Sequence, residues 1–349
     1  MKMSGSARDF FSHMKLLGLA AIVSSYPTEG GVDSLSPVTV WWESPDTMVL
    51  SSLTHDVSVE QAAACVRAYL DDLARDEKMI RQTVKVGGKD HSPLSPRIAK
   101  SLTDQEWTMY QGVRQEIIDH AEGNEPLFAR LVNALGFPAY WSTSLEGAKG
   151  KLNLDSGASQ WEMAPRNSGS EFMKNKYLEH VRACEQLSVD DIAARIRGDE
   201  ADDCGKDRNA SGLHAPAYLD VLMSLVALSG IALFPTAMAT TGQVGSVSTA
   251  VTTQRANGRK QTHFVLPIVN RAVTIERYQA ICRNASVYRI ANAAFQSSQV
   301  DVTDSLAEAS ASWLHAHDVD HVVAFQRFVG GSDSCPEYYA LEGEIYPVR

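Results

Sequence analysis

Cysteine is scarce in this sequence, and its spacing gives no sign of pairing. The five cysteines are odd in number, lie far apart and include no Cys-x-x-Cys pair. That distribution excludes a zinc ribbon and a disulfide framework. A reducing compartment is the simplest home for such a chain, and we expect the cytoplasm.

The familiar catalytic signatures are absent as well. The sequence contains no GxxxxGKS/T loop, no GxGxxG after a strand, no HExxH and no GxSxG. The first of these cradles phosphates in P-loop proteins, so its absence excludes an ordinary P-loop ATPase. We therefore expect no cofactor and no catalytic residue in this chain.

Long apolar runs are also few. Residues 16–25 are apolar, but ten residues are too short to span a bilayer. The longest run, residues 219–234, is interrupted by Ser224, Ser229 and Gly230. We expect it to form a buried core helix, and we expect no membrane segment.

Positive charge is in deficit. Lys and Arg number 32 against 42 Asp and Glu, which gives a net charge of −10. Free-standing nucleic-acid binders usually carry an excess of cations, because neutralising phosphates supplies much of their affinity. Contact with nucleic acid would therefore need local basic loops inside a larger complex. The acidic remainder either keeps the protein in solution or docks basic partners.

The residues that are present predict an α+β protein. β-Branched and aromatic residues on both sides of a Ser-Pro-Asp turn predict an antiparallel strand pair within residues 38–50. Ser58 and Thr103 begin capping boxes and predict helix starts. A closing strand pair is expected at 322–329 and 338–346. The predicted fold class is α+β, with small antiparallel strand pairs and a helix-rich middle.

A Gly- and Ser-rich stretch interrupts these patterns. Residues 142–170 are the least regular part of the chain. We place a soft domain boundary there, because 349 residues suffice for two ordinary domains. The prediction is an N-terminal α+β domain over 1–150 and a C-terminal, helix-rich α+β domain over 151–349.

Four surface segments combine a flexible backbone with cations. The strongest is residues 236–260, expected as one long loop rich in Gly, Ser and Thr with a basic end. Glycine lets a phosphate approach closely, Lys and Arg neutralise it, and Gln, Asn and Arg can read base edges. A solvated surface turn is the alternative for the loops at 86–89 and 147–151, and a loop anchored in the core by Trp161 is the alternative at 159–169. The candidate nucleic-acid-binding residues are Lys85, Lys89, Arg97, Lys149, Lys151, Arg166, Asn167, Gln243, Arg255, Asn257, Arg259 and Lys260.

One cluster holds residues of the metal-ligand type. His315, His317 and His321, with Asp318 or Asp320, would meet a divalent ion if the chain changed from helix to strand between them. The alternative is a polar helix end, where histidine interacts favourably with the helix dipole and with solvent.

Three stretches, in this order, resemble one known family. They are residues 13–22 (HMKLLGLAAI), 161–172 (WEMAPRNSGSEF) and 207–216 (DRNASGLHAP), the last running into an apolar helix that ends GIALFP at Pro235. The order is similar to that of the proteins encoded beside the nuclease-helicase in type I-G (formerly I-U) CRISPR loci, which act as large or accessory effector subunits. The resemblance covers roughly half of the chain in patches, and none of its motifs is catalytic.

The resemblance implies a non-catalytic subunit of an RNA-guided surveillance complex. Its implied partners are a guide RNA, target DNA near the flanking motif, other CRISPR effector subunits and the nuclease-helicase that it helps to recruit. In such complexes base pairing reads the target, while protein reads a short flanking motif and holds the displaced strand.

Two other functions stay open beside this one. A metal-dependent enzyme would use the histidine cluster at residues 315–321. A scaffold would bind basic partner subunits through acidic surfaces and would touch no nucleic acid.

Overall fold

The computed structural model describes fourteen stretches of the chain. They are residues 1–26, 37–75, 77–86, 88–94, 103–124, 126–134, 141–142, 153–154, 177–199, 220–234, 251–256, 259–296, 305–332 and 335–349.

Eleven α-helices and one 3-10 turn lie in these stretches. The helices are α1 (Phe10–Ser25), α2 (Val59–Arg75), α3 (Glu77–Ile80), α4 (Asp104–Asn124), α5 (Pro126–Ala134), α6 (Tyr177–Cys184), α7 (Val189–Arg197), α8 (Val221–Ser229), α9 (Ile275–Arg283), α10 (Ala285–Gln296) and α11 (Ser305–His315), and the 3-10 turn is Gly230–Leu233.

Thirteen strands accompany these helices. They are β1 (Lys2–Ser4), β2 (Val38–Ser44), β3 (Thr47–Ser52), β4 (Val84–Val86), β5 (Lys89–His91), β6 (Trp141–Ser142), β7 (Asn153–Leu154), β8 (Val251–Ala256), β9 (Arg259–Val269), β10 (Val273–Thr274), β11 (Val319–Ser332), β12 (Cys335–Ala340) and β13 (Glu344–Pro347).

The strands form two larger antiparallel sheets and two short hairpins. One sheet has the order β1-β3-β2-β10, and the other has the order β12-β11-β9-β8 with β13 paired to the first part of β11. The short hairpins are β4–β5 and β6–β7. The predicted α+β class is confirmed. The strand pair predicted within residues 38–50 is β2–β3, and it belongs to a larger sheet. The second strand of the predicted closing pair, residues 338–346, is divided into β12 and β13, which pair with different parts of β11.

Local sequence signals place several helix starts where they were expected. Ser58 and Gln61 form a reciprocal capping box, in which the Gln61 amide donates to the Ser58 hydroxyl at 3.1 Å. Thr103 and Glu106 do the same at the start of α4. Each box satisfies backbone amides that have no partner within the helix.

Aromatic side chains join the second sheet to helix α1 in the core. Phe10 at the start of α1 lies 5.1 Å from the ring of Phe264 and 5.2 Å from that of Phe325. Sequence-distant β2 and β10 also share a ladder. The described parts of 1–150 and 151–349 therefore share one apolar core, and the proposed boundary near residue 150 stays a prediction, because the segment around it lies outside the described residues.

Helices α1 and α8 cross at a very short distance. A Cβ atom on Gly18 would lie 1.8 Å from the Val226 carbonyl oxygen, and one on Gly230 would lie 2.8 Å from that of Met14. Only glycine allows two backbones to approach this closely. All of α8 after Val221 is buried, so the prediction of a buried core helix in the longest apolar run is confirmed for the part described. Among the described helices, none combines the length and the apolar character of a membrane span.

Candidate nucleic-acid interface

The β8–β9 hairpin brings three of the candidate cations together. In its ladder Arg255 pairs with Lys260 and Ala256 pairs with Arg259, so these cations occupy the last two ladder positions before the connection. The connecting sequence is Asn-Gly, the pair most typical of a two-residue hairpin turn. Arg255, Arg259 and Lys260 therefore lie close together at the end of the hairpin, whereas one long loop would not hold them together.

The expectation of one long loop over residues 236–260 is wrong for its second part. Residues 251–256 and 259–260 lie in β8 and β9, and residues 235–250 lie outside the described part of the chain. The run Val-Thr-Thr at 251–253 explains the strand, because β-branched residues fit a pleated, half-buried surface. The Ser- and Gly-rich sequence before residue 251 led to the prediction of a loop for the whole segment.

Acidic residues are nearly absent from the sequence on both sides of this hairpin. No Asp or Glu occurs from Val221 to Ile275, and residues 221–300 hold seven Arg and Lys against the single acid Glu276. This part of the chain therefore carries +6 within a protein of net charge −10, which leaves −16 for the rest. The acid-free run is a source of positive field, which carboxylates of other elements, such as Glu344 near His263, partly oppose.

Histidine adds little to that field at neutral pH. His263 on β9 is buried beneath Phe295, with the ring centroids 4.6 Å apart. Burial lowers the pKa of His263, and the attraction of Glu344 opposes this only in part. The positive charge of the hairpin thus comes from Arg255, Arg259 and Lys260.

The basic segment at residues 85–89 also forms a hairpin, where the sequence indicated a loop. In the β4–β5 ladder Lys85 pairs with Asp90 and Val86 pairs with Lys89. Gly88 has φ +79°, a left-handed conformation that glycine adopts without strain, and this allows the tight turn. Lys85 is exposed. Because Asp90 stands opposite it, this hairpin is less cationic than β8–β9.

The other candidate residues lie outside the described stretches. They are Arg97, Lys149, Lys151, Arg166, Asn167, Gln243 and Asn257. The five remaining candidates lie in two separate hairpins, with Lys85 and Lys89 in β4–β5 and with Arg255, Arg259 and Lys260 in β8–β9.

The histidine cluster changes from helix to strand as a metal site would require. Helix α11 ends at His315 and β11 begins at Val319. The side chains are nevertheless engaged separately: His315 Nδ1 lies 3.2 Å from an Asp320 oxygen, and His317 stacks on Trp313. No three His, Cys, Asp or Glu side chains in the described part of the protein are grouped to hold a metal ion.

Sequence reasoning missed four arginines that extend the basic region. Arg271, Arg277, Arg283 and Arg289 follow the hairpin, and all four are exposed. The signal that could have found them is the near absence of acids over residues 221–300, which a search for glycine-bearing loops does not detect.

Comparison of the sequence with protein-family models and with curated proteins gives no match.

Proposed function

We propose that this chain is a non-catalytic subunit of an RNA-guided type I CRISPR surveillance complex. It contacts target DNA near the flanking motif, and it helps to recruit the nuclease-helicase in the cytoplasm. The observation that carries the contact is the concentration of Arg255, Arg259 and Lys260 at one hairpin end. The sequence resemblance of residues 13–22, 161–172 and 207–216 supplies the kind of complex.

The distribution of charge favours a subunit over a free-standing binder. A body with −16 outside residues 221–300 repels a polyanion at long range, so the basic region alone gives weak binding in solution. Inside a complex, partner subunits supply most of the positive charge, and the hairpin adds a local contact. The acidic surfaces then suit basic partner subunits.

Two features of the interior support a non-enzymatic, intracellular role. His13 and Cys282 lie buried in the core, where burial lowers the pKa of His13 and raises that of Cys282. Three described cysteines, Cys65, Cys184 and Cys282, are buried and form no disulfide bond, as suits a reducing compartment.

The test is target binding by complexes reconstituted with the triple variant Arg255→Ala/Arg259→Ala/Lys260→Ala. Each lost phosphate contact should lower the slope of log K against log salt by about 0.9 for duplex DNA. We expect weaker binding and a shallower slope. The matched control is Arg75→Ala/Lys78→Ala/Arg81→Ala, which removes three exposed cations on α2 and α3. Unchanged target binding by the hairpin variant, or an equal loss in the control, contradicts the proposal.

A scaffold without nucleic-acid contact is the second candidate, and the −16 charge outside residues 221–300 favours it. Crosslinking from the hairpin distinguishes the two functions. A photoreactive group placed at residue 260 should label guide or target strands under our proposal, and only protein under the scaffold alternative.

A further inference from the structure

We draw no further inference here: the strongest candidate, the pair of strand edges where the β8–β9 and β11–β12 hairpins separate beyond His263 and Gln326, the last described β9–β11 pair, carries none, because nothing in the structure shows what covers these edges.

Discussion

The junction of α1, α7 and α8 differs in how its charges are held from the outer side of α9 and α10, which carries Arg283 and Arg289 and which we call the face. At the junction, Arg195 and Asp220 are both buried and bonded to each other, and Lys15 donates to the Ile196 carbonyl at 3.0 Å. On the face, Arg283 and Arg289 are exposed and have no ionic partner among the described residues. Charge at the junction is therefore held inside the protein, whereas charge on the face is in contact with solvent.

The largest effect should follow from removing the buried carboxylate. Asp220→Ala deprives Arg195 of this carboxylate and also removes the α8 cap, since Asp220 accepts from the Met223 amide at 2.9 Å. Breaking a buried pair costs about 3–5 kcal/mol and losing a cap costs about 1 kcal/mol. We expect urea unfolding to show a loss of about 4 kcal/mol or more.

The control for that variant is a carboxylate in an exposed pair. Asp71 lies 2.8 Å from Arg67 and is mostly exposed. Asp71→Ala should cost about 0.5 kcal/mol, because solvent screens such pairs. Equal losses from the two variants would show that burial does not set the role of charge in this molecule.

The next effect comes from the close crossing of α1 and α8. Gly18→Ala places a methyl group 1.8 Å from the Val226 carbonyl oxygen, and two backbones must separate to admit it. We expect a loss of about 3 kcal/mol or more in the free energy of unfolding, at the upper end for overpacking. Gly112→Ala is the matched control, because a Cβ at this helical position meets nothing within 4 Å. It should stabilise the protein by about 0.5–1 kcal/mol.

Helix α1 should also make stability depend on pH, through His13. Its ring is buried against Trp42 and Phe325, and burial lowers the pKa of His13 to about 4. The unfolded chain binds this proton below about pH 6.5, so stability present at neutral pH is lost as the pH falls toward 4. The loss reaches about 3 kcal/mol at pH 4.

Urea unfolding of wild type and His13→Phe at pH 7 and pH 4 measures this contribution. The phenylalanine variant should lose less stability than wild type between the two pH values. Asp9 titrates nearby, but it is present in both proteins and cancels in the comparison. Identical pH dependence in the two proteins would mean that His13 becomes protonated without disturbing the core.

The elements that could be predicted from the sequence are those with local signals. Capping boxes at Ser58 and Thr103 and the apolar run after Asp220 are local signals, and each predicted its element. The extent of the sheets was not predictable, because β2 pairs with β10 across more than two hundred residues. Residues 13–22, which carry part of the resemblance, lie mainly in α1 and take part in the buried crossing. The sequence of residues 13–22 therefore reflects the requirements of core packing.

The sequence also predicted only part of the candidate site. The physical reason differs from the one that applies to the sheets. Arg255, Arg259 and Lys260 were found because glycine marked their segment, although the segment was taken for a loop. Arg283 and Arg289 sit on helices, where nothing local distinguishes a ligand-binding arginine from a solvated one. Their relation to the hairpin arises from the packing of α10 on β8 and β9, which no sequence pattern encodes.

The smallest expected effect on stability is at the face itself. Exposed arginines without ionic partners contribute little to folding, so Arg283→Ala/Arg289→Ala should change the free energy of unfolding by no more than about 0.5 kcal/mol. A slight gain would follow if the neighbouring cations repel one another, and added salt should then reduce it, because salt screens exposed charges. Urea unfolding at low and high salt makes the measurement. Arg75→Ala/Arg81→Ala is the reference in which each exposed arginine does have an ionic partner, Asp72 or Glu77. A loss above about 1 kcal/mol would place these arginines with the structural charges of the junction, because it would mean that they have partners within the protein.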